Sequence, residues 1–268
     1  MPALSYCLHT APASGLHKTS VLVTGEREAL LIDGQLTLAE QHRVLAAVLD
    51  SGKRLTTVFV SAADPDCWFG LQAVRQAFPG VTVVATAATV ERIKDTGEAR
   101  LATWRNLGRN LPTELVIPDV LTSGVLEFEG RVFEVRGGDP ELVWRTQYLW
   151  QPEDRALLGG ALLYAGVHPW TADTATPAER AAWDRALAGA RRLAPRLVVP
   201  GHRTPDTPTD ASAITFTRDY LAAFETAAAR AANGEALRDA VLAFRPGLAG
   251  TLALELGARA ATGEIAWS

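Results

Sequence analysis

Cysteine, histidine and lysine are scarce in this 268-residue chain, and long apolar runs are missing altogether. With only Cys7 and Cys67, and no other sign of secretion, a structural disulfide is not expected and reduced thiols are the default. No apolar run approaches the roughly 18 residues that suggest a membrane span, and the opening residues have no basic segment ahead of an apolar one. A cytoplasmic protein without a membrane partner is therefore expected. Three of the 26 basic residues are lysine and the rest arginine, which reads with the abundant alanine as coding bias. The formal charge of −4 is spread along the chain with no basic stripe, which argues against nucleic-acid binding.

A 48% hydrophobic composition at this length supports a large core. Residues 4–9, 20–24 and 29–33 read as an antiparallel meander. Residues 37–49 have apolar positions at helical spacing, and Gly52 lies just beyond them. Residues 55–60 then form a buried β-branched strand, 68–78 a helix, 81–86 a strand and 87–106 a helix. Successive strands are expected at 115–117, 125–129, 131–135, 143–150 and 156–158. Helices follow at 178–193, 211–232, 235–243 and 248–259, interrupted by a strand at 196–199. One α/β domain over 1–268 is expected, with a helical C-terminal extension over about 205–268. The Ala- and Leu-rich faces of 211–232 and 248–259 could also build a homo-oligomer.

The strand-to-helix turn Ser61-Ala62-Ala63-Asp64-Pro65-Asp66-Cys67-Trp68-Phe69-Gly70 has the frame of a metal-binding motif with most of its imidazoles replaced. It resembles the T-H-x-H-x-D-H motif of the metallo-beta-lactamase fold superfamily, which includes glyoxalase II- and lactonase-like hydrolases. Ala62, Asp64 and Cys67 stand at histidine positions, and Asp66 matches. Gly138 stands at the next ligand position, within Val135-Arg136-Gly137-Gly138, and Ala161 stands where a bridging carboxylate is expected. The final motif, Val199-Pro200-Gly201-His202, is intact. The resemblance spans nearly the whole chain and implies a four-layer αββα sandwich.

In the superfamily two zinc ions activate a water. With His9, His17, His42, His168 and His202 as the only imidazoles, a full dinuclear site cannot be assembled. The expectation is an enzyme without a metal cofactor, acting on a small organic acyl, ester or lactone-like substrate by acid-base or covalent chemistry. Its catalytic residues are His202, Asp66, Cys67 and Asp64. Asp64 and Asp66, packed together, would raise one of their pKa values. Cys67, placed at the N-terminus of a helix from Trp68, would have a lowered one. Trp68, His168 and Trp170 are the expected substrate wall. Two alternatives stand beside this reading: one zinc or iron ion held by Asp66, Cys67 and His202, and a non-catalytic protein that binds a ligand or partner in the old cleft.

Overall fold

A computed structural model describes residues 3–267; Met1, Pro2 and Ser268 lie outside the described residues. The chain opens with β1 (Ser5–Thr10), β2 (Thr19–Thr24) and β3 (Glu28–Ile32), an antiparallel meander. Then come α1 (Leu38–Asp50), β4 (Arg54–Val60), α2 (Leu71–Ala77), β5 (Thr82–Ala85), α3 (Ala87–Thr103) and β6 (Asp119–Val120). These six strands form one sheet in chain order, with β3 to β6 parallel.

The second half holds β7 (Val125–Phe128), β8 (Arg131–Arg136), β9 (Tyr148–Gln151), β10 (Ala156–Leu158), β11 (Tyr164–Ala165), α4 (Pro177–Arg192), β12 (Leu197–Val199) and β13 (His202–Arg203). Its main sheet runs β12-β10-β9-β8-β7, and β11 pairs with β13 in a separate short parallel ribbon. The chain then turns helical, through α5 (Ser212–Ala228), α6 (Gly234–Phe244) and α7 (Thr251–Ala261).

Strand alternation generates the layers, because successive side chains point to opposite faces. Val21, Val23, Leu30, Ile32 and Phe59 meet Phe133, Leu149, Leu158 and Val199 between the two sheets. Their neighbours Leu22, Leu31 and Val58 face outward, against Val44 of α1, Val74 of α2 and Ile93 of α3. On the far side Trp150, Leu157 and Val198 pack against Trp183 and Leu187 of α4 and Ile214 of α5. This is the expected αββα sandwich. Each such side chain contributes about 1.5–3 kcal/mol by burial. The inner faces of α5 and α7 are spent within the chain: Tyr220, Phe224, Leu254 and Ala258 close a separate core with Leu237 and Val241 of α6.

Three local expectations are corrected. Residues 115–117 are not a strand; the last strand of the first sheet is β6, two residues further on. Residues 143–147 form a turn after a short 3-10 segment at Pro140–Leu142, so β9 begins only at Tyr148. The helix expected from Trp68 begins at Leu71, after a 3-10 turn at Pro65–Cys67. There the Cys67 carbonyl accepts from the Gly34 N–H (2.6 Å) and Gly70 N–H bonds the Gln35 carbonyl (2.8 Å), so these backbone groups serve β3's loop instead of a helix ladder. Gly70 is required at this approach, since a Cβ would lie 2.7 Å from that of Gln41. Among the described residues no helix is long and apolar enough to cross a membrane.

Candidate functional site

The site lies where the turn after β4 meets the β11–β13 ribbon. Gly201 lets β13 pass so close to the second sheet's loop that any Cβ would sit 1.7 Å from the Gly160 carbonyl oxygen. The pairing of Tyr164 with His202 then stacks their rings, with centroids 4.7 Å apart and planes 6° from parallel.

His202 and Asp66 meet through a 2.6 Å contact between Nε2 and Oδ2. Burial works to raise the Asp66 carboxyl, but its hydrogen bond with His202 and the charges of Lys18 and Arg145 together hold Asp66 below its usual value. Burial also lowers His202, outweighing the opposite pull of Asp66, so the imidazole is neutral at physiological pH. A neutral ring that donates from Nε2 to a carboxylate keeps a lone pair on Nδ1. That Nδ1 is buried without a hydrogen-bond partner.

Asp64 is buried beside it. Its Oδ1 accepts from Nη1 of Arg145 at 2.9 Å, and its Oδ2 has no partner. Burial pushes this carboxyl up to about 7, against the pull of Arg145 and with the aid of Asp173 and Asp66. The expectation that one carboxyl of the Asp64–Asp66 pair is raised therefore holds, though desolvation outranks repulsion as the cause. Arg145, 1% exposed, also reaches Asp173 Oδ2 (3.2 Å), the Tyr164 hydroxyl (3.2 Å) and the Trp170 carbonyl (2.9 Å). Arg100 pairs with the same Asp173.

On the opposite side lies Lys18, wholly buried and backbone-bridged to His202. Its Nζ donates to Asp33 Oδ2 at 2.8 Å. Ser61 binds the same carboxylate through its N–H (2.8 Å) and hydroxyl (2.7 Å). Burial opposes the lysine charge, but Asp33 foremost, aided by Asp66, keeps it protonated.

Of the residues expected from sequence, His202, Asp66 and Asp64 come together and line one cleft, with Trp170 at its rim. His168 lies in an adjoining chamber, its Nδ1 3.0 Å from the Tyr220 hydroxyl; burial pushes it down to about 4. Trp68 is no wall of the cleft. It is 1% exposed in the helix-facing core, and its Nε1–H donates to the Ala63 carbonyl. Cys67 is fully buried, and burial, reinforced by Asp33, pushes its thiol up rather than down; with the helix starting four residues later, no helix terminus activates it. Ala62 and Ala161 are buried methyl groups at 0% and 1% exposure. Among the described residues no three His, Cys, Asp or Glu side chains form a metal-ligand group.

Sequence reading missed Lys18, Arg145, Tyr164 and Asp173. Signals for two of them were present: Lys18 is one of three lysines in an arginine-rich chain, and Arg145 interrupts the apolar run Leu142-Val143-Trp144.

Asp64→Asn tests the carboxyl. A folded-state pKa raised above the unfolded aspartate value makes a contribution to stability that is complete below the unfolded value and lost as pH rises through about 7. Urea denaturation across pH should show the stability of wild type relative to Asp64→Asn shrinking over that window; a constant difference would refute the raised pKa.

Solved structures with the same fold include a metallo-beta-lactamase family protein from Thermus thermophilus, at 20% identity and a TM-score of 0.62 over 95% of this chain and 92% of that one. A metallo-beta-lactamase from Pontibacter korlensis aligns at 18% identity and a TM-score of 0.58, over 82% and 94% of the two chains. One from Hirschia baltica aligns at 19% and 0.53, over 81% and 92%. At such identities the likeness shows the fold alone. A search of curated proteins found no match. The sequence pattern of the Metallo-beta-lactamase superfamily matches residues 14–202, which takes in the turn after β4, the Gly138 and Ala161 positions and His202; this chain belongs to that superfamily.

Proposed function

We propose that the chain is an enzyme acting on a small, uncharged acyl, ester or lactone-like compound by acid-base chemistry that uses no metal ion. The observation that carries this reading is the 2.6 Å His202–Asp66 contact, which leaves the Nδ1 lone pair of a neutral imidazole free. In hydrolysis, Nδ1 takes a proton from water as the water oxygen bonds to the acyl carbon. Asp64, still protonated in a large fraction below about 7, gives its proton to the departing oxygen as the C–O bond breaks. The imidazolium then returns its proton to the Asp64 carboxylate through solvent. Arg145 fixes the Asp64 carboxyl by its Oδ1 and leaves Oδ2 free for the transfer. Cys67 has no part in this reading.

The donors suggested for a single zinc or iron ion do not fit one. Asp66 is hydrogen-bonded to Nε2 of His202, the Lys18 ammonium acts electrostatically on both Asp66 and Cys67, and among the described residues no three His, Cys, Asp or Glu side chains form a metal-ligand group. Superfamily membership supports hydrolytic ancestry by analogy; the chemistry rests on the site.

The test is a panel of short-chain esters, thioesters and lactones assayed with and without a chelator. Turnover is expected to survive chelation and to fall as pH rises through about 7, where Asp64 loses its proton. Activity that vanishes on chelation and returns with zinc would overturn the metal-free reading.

A further inference from the structure

The cleft between Asp64 and His202 has a volume of about 20 Å³, room for little beyond a water. Behind His202 lies a second, larger chamber of about 150 Å³. Leu16, Tyr164, Trp170 and His202 line both, so the stacked Tyr164 and His202 rings form the partition.

The chamber has two unusual properties. Three imidazoles line it, and each has a buried ring nitrogen with no hydrogen-bond partner: Nε2 of His17, Nε2 of His168 and Nδ1 of His202. His168 and His202 are 1% and 5% exposed, so bulk water does not satisfy them. Buried polar atoms left without partners are uncommon, and a bound group is one of the few ways to satisfy them. The remainder of the lining is apolar or hydroxyl-bearing, with Val167, Leu252 and Ala253 among it, and contains no Lys, Arg, Asp or Glu. Burial lowers His17 and His168, which keeps both imidazoles uncharged. The first turn of α7, whose leading N–H groups have no carbonyl within the helix to bond, closes one end.

Size and polarity together define an occupant. A cavity of this volume accommodates one benzene-sized ring. An uncharged lining rejects an ion, because nothing there compensates its desolvation. Neutral imidazoles donate or accept according to tautomer, so they can bond a hydroxyl or a carbonyl equally well. We infer that the chamber is a substrate subsite for an uncharged monocyclic compound of about benzene size bearing one or two hydrogen-bonding oxygens. This deepens the proposed function and rests on it, since the chamber shares Leu16, Tyr164, Trp170 and His202 with the cleft that holds Asp64.

The probe is phenol, which cannot be hydrolysed, with benzoate as its charged counterpart; binding is measured by calorimetry or ligand-observed NMR. Phenol should bind wild type, and bind Ala253→Phe, which fills the chamber, at least about tenfold more weakly. Benzoate should bind wild type at least about tenfold more weakly than phenol. If circular dichroism shows that Ala253→Phe is misfolded, Leu252→Trp, at a position 44% exposed, is used for the same comparison. No phenol binding, equal binding to the filled variant, or benzoate bound as well as phenol would each overturn the subsite. Because phenol is not turned over, such a result leaves the acid-base reading standing. Loss of that reading in the chelator assay leaves the binding result intact.

Discussion

His202→Ala is expected to lower turnover by about 10²- to 10⁴-fold, the usual contribution of a positioned general base, while the protein stays folded. The fold survives because β13 is held through its backbone: the His202 N–H bonds the Leu163 carbonyl, and the neighbouring Arg203 N–H bonds that of His17. The side chain itself contributes its ring stack on Tyr164, worth about 0.5–1.5 kcal/mol. Asp66 loses its hydrogen-bonded partner but keeps the attraction of Lys18 and Arg145. Kinetics on any substrate found in the panel, with circular dichroism as the folding control, decides the matter; undiminished turnover would remove His202 from the mechanism. Asp66→Asn sharpens the test. An amide can donate to Nε2, which moves the ring proton to Nδ1 and abolishes the lone pair on the cavity side. A comparable fall in turnover with the imidazole still present would show that the tautomer, and not merely the ring, is required.

Lys18→Met is expected to cost about 3–5 kcal/mol of stability, because it leaves the Asp33 carboxylate buried without its counter-charge. Both side chains are 0% exposed, so no solvent relieves the loss. Ser61 and the Gly160 N–H still bond Asp33, but neither supplies charge. Asp33 also occupies the left-handed region at φ 61°, a conformation maintained by the contacts its side chain makes. Chemical denaturation of Lys18→Met, Asp33→Asn and the double variant forms a thermodynamic cycle. The double variant should lose much less than the sum of the singles, since it removes both charges together. Strict additivity would mean that the pair is not coupled.

The fold was legible because its signals are local. The meander, the buried strand before Ser61 and the helical spacing of Leu38, Val44 and Leu45 each lie within a few residues. The turn at Asp64–Asp66 and the Val199-Pro200-Gly201-His202 segment located the site, because both resemble metal motifs of the superfamily. What escaped is long-range. Lys18 gains its meaning from Asp33, just past the end of β3, and from the β-bridge that sets it against His202. Arg145 lies in a segment whose apolar neighbours read as strand; only the turn there aims it at Asp64, 81 residues away in sequence. Trp68 and Cys67 were misread for the opposite reason. They adjoin the site in sequence, but the late start of α2 turns them into the helix-facing core.

The buried Lys18–Asp33 pair also constrains how this sequence can drift. A lineage that exchanges either residue alone passes through a protein with one uncompensated charge in its interior, and that single step can consume much of an ordinary stability margin. The two positions must therefore change nearly together, or after stabilising substitutions elsewhere have widened the margin. Descendants of this chain are consequently held near their present site by the instability of the intermediates, whatever advantage a different arrangement of charges would bring.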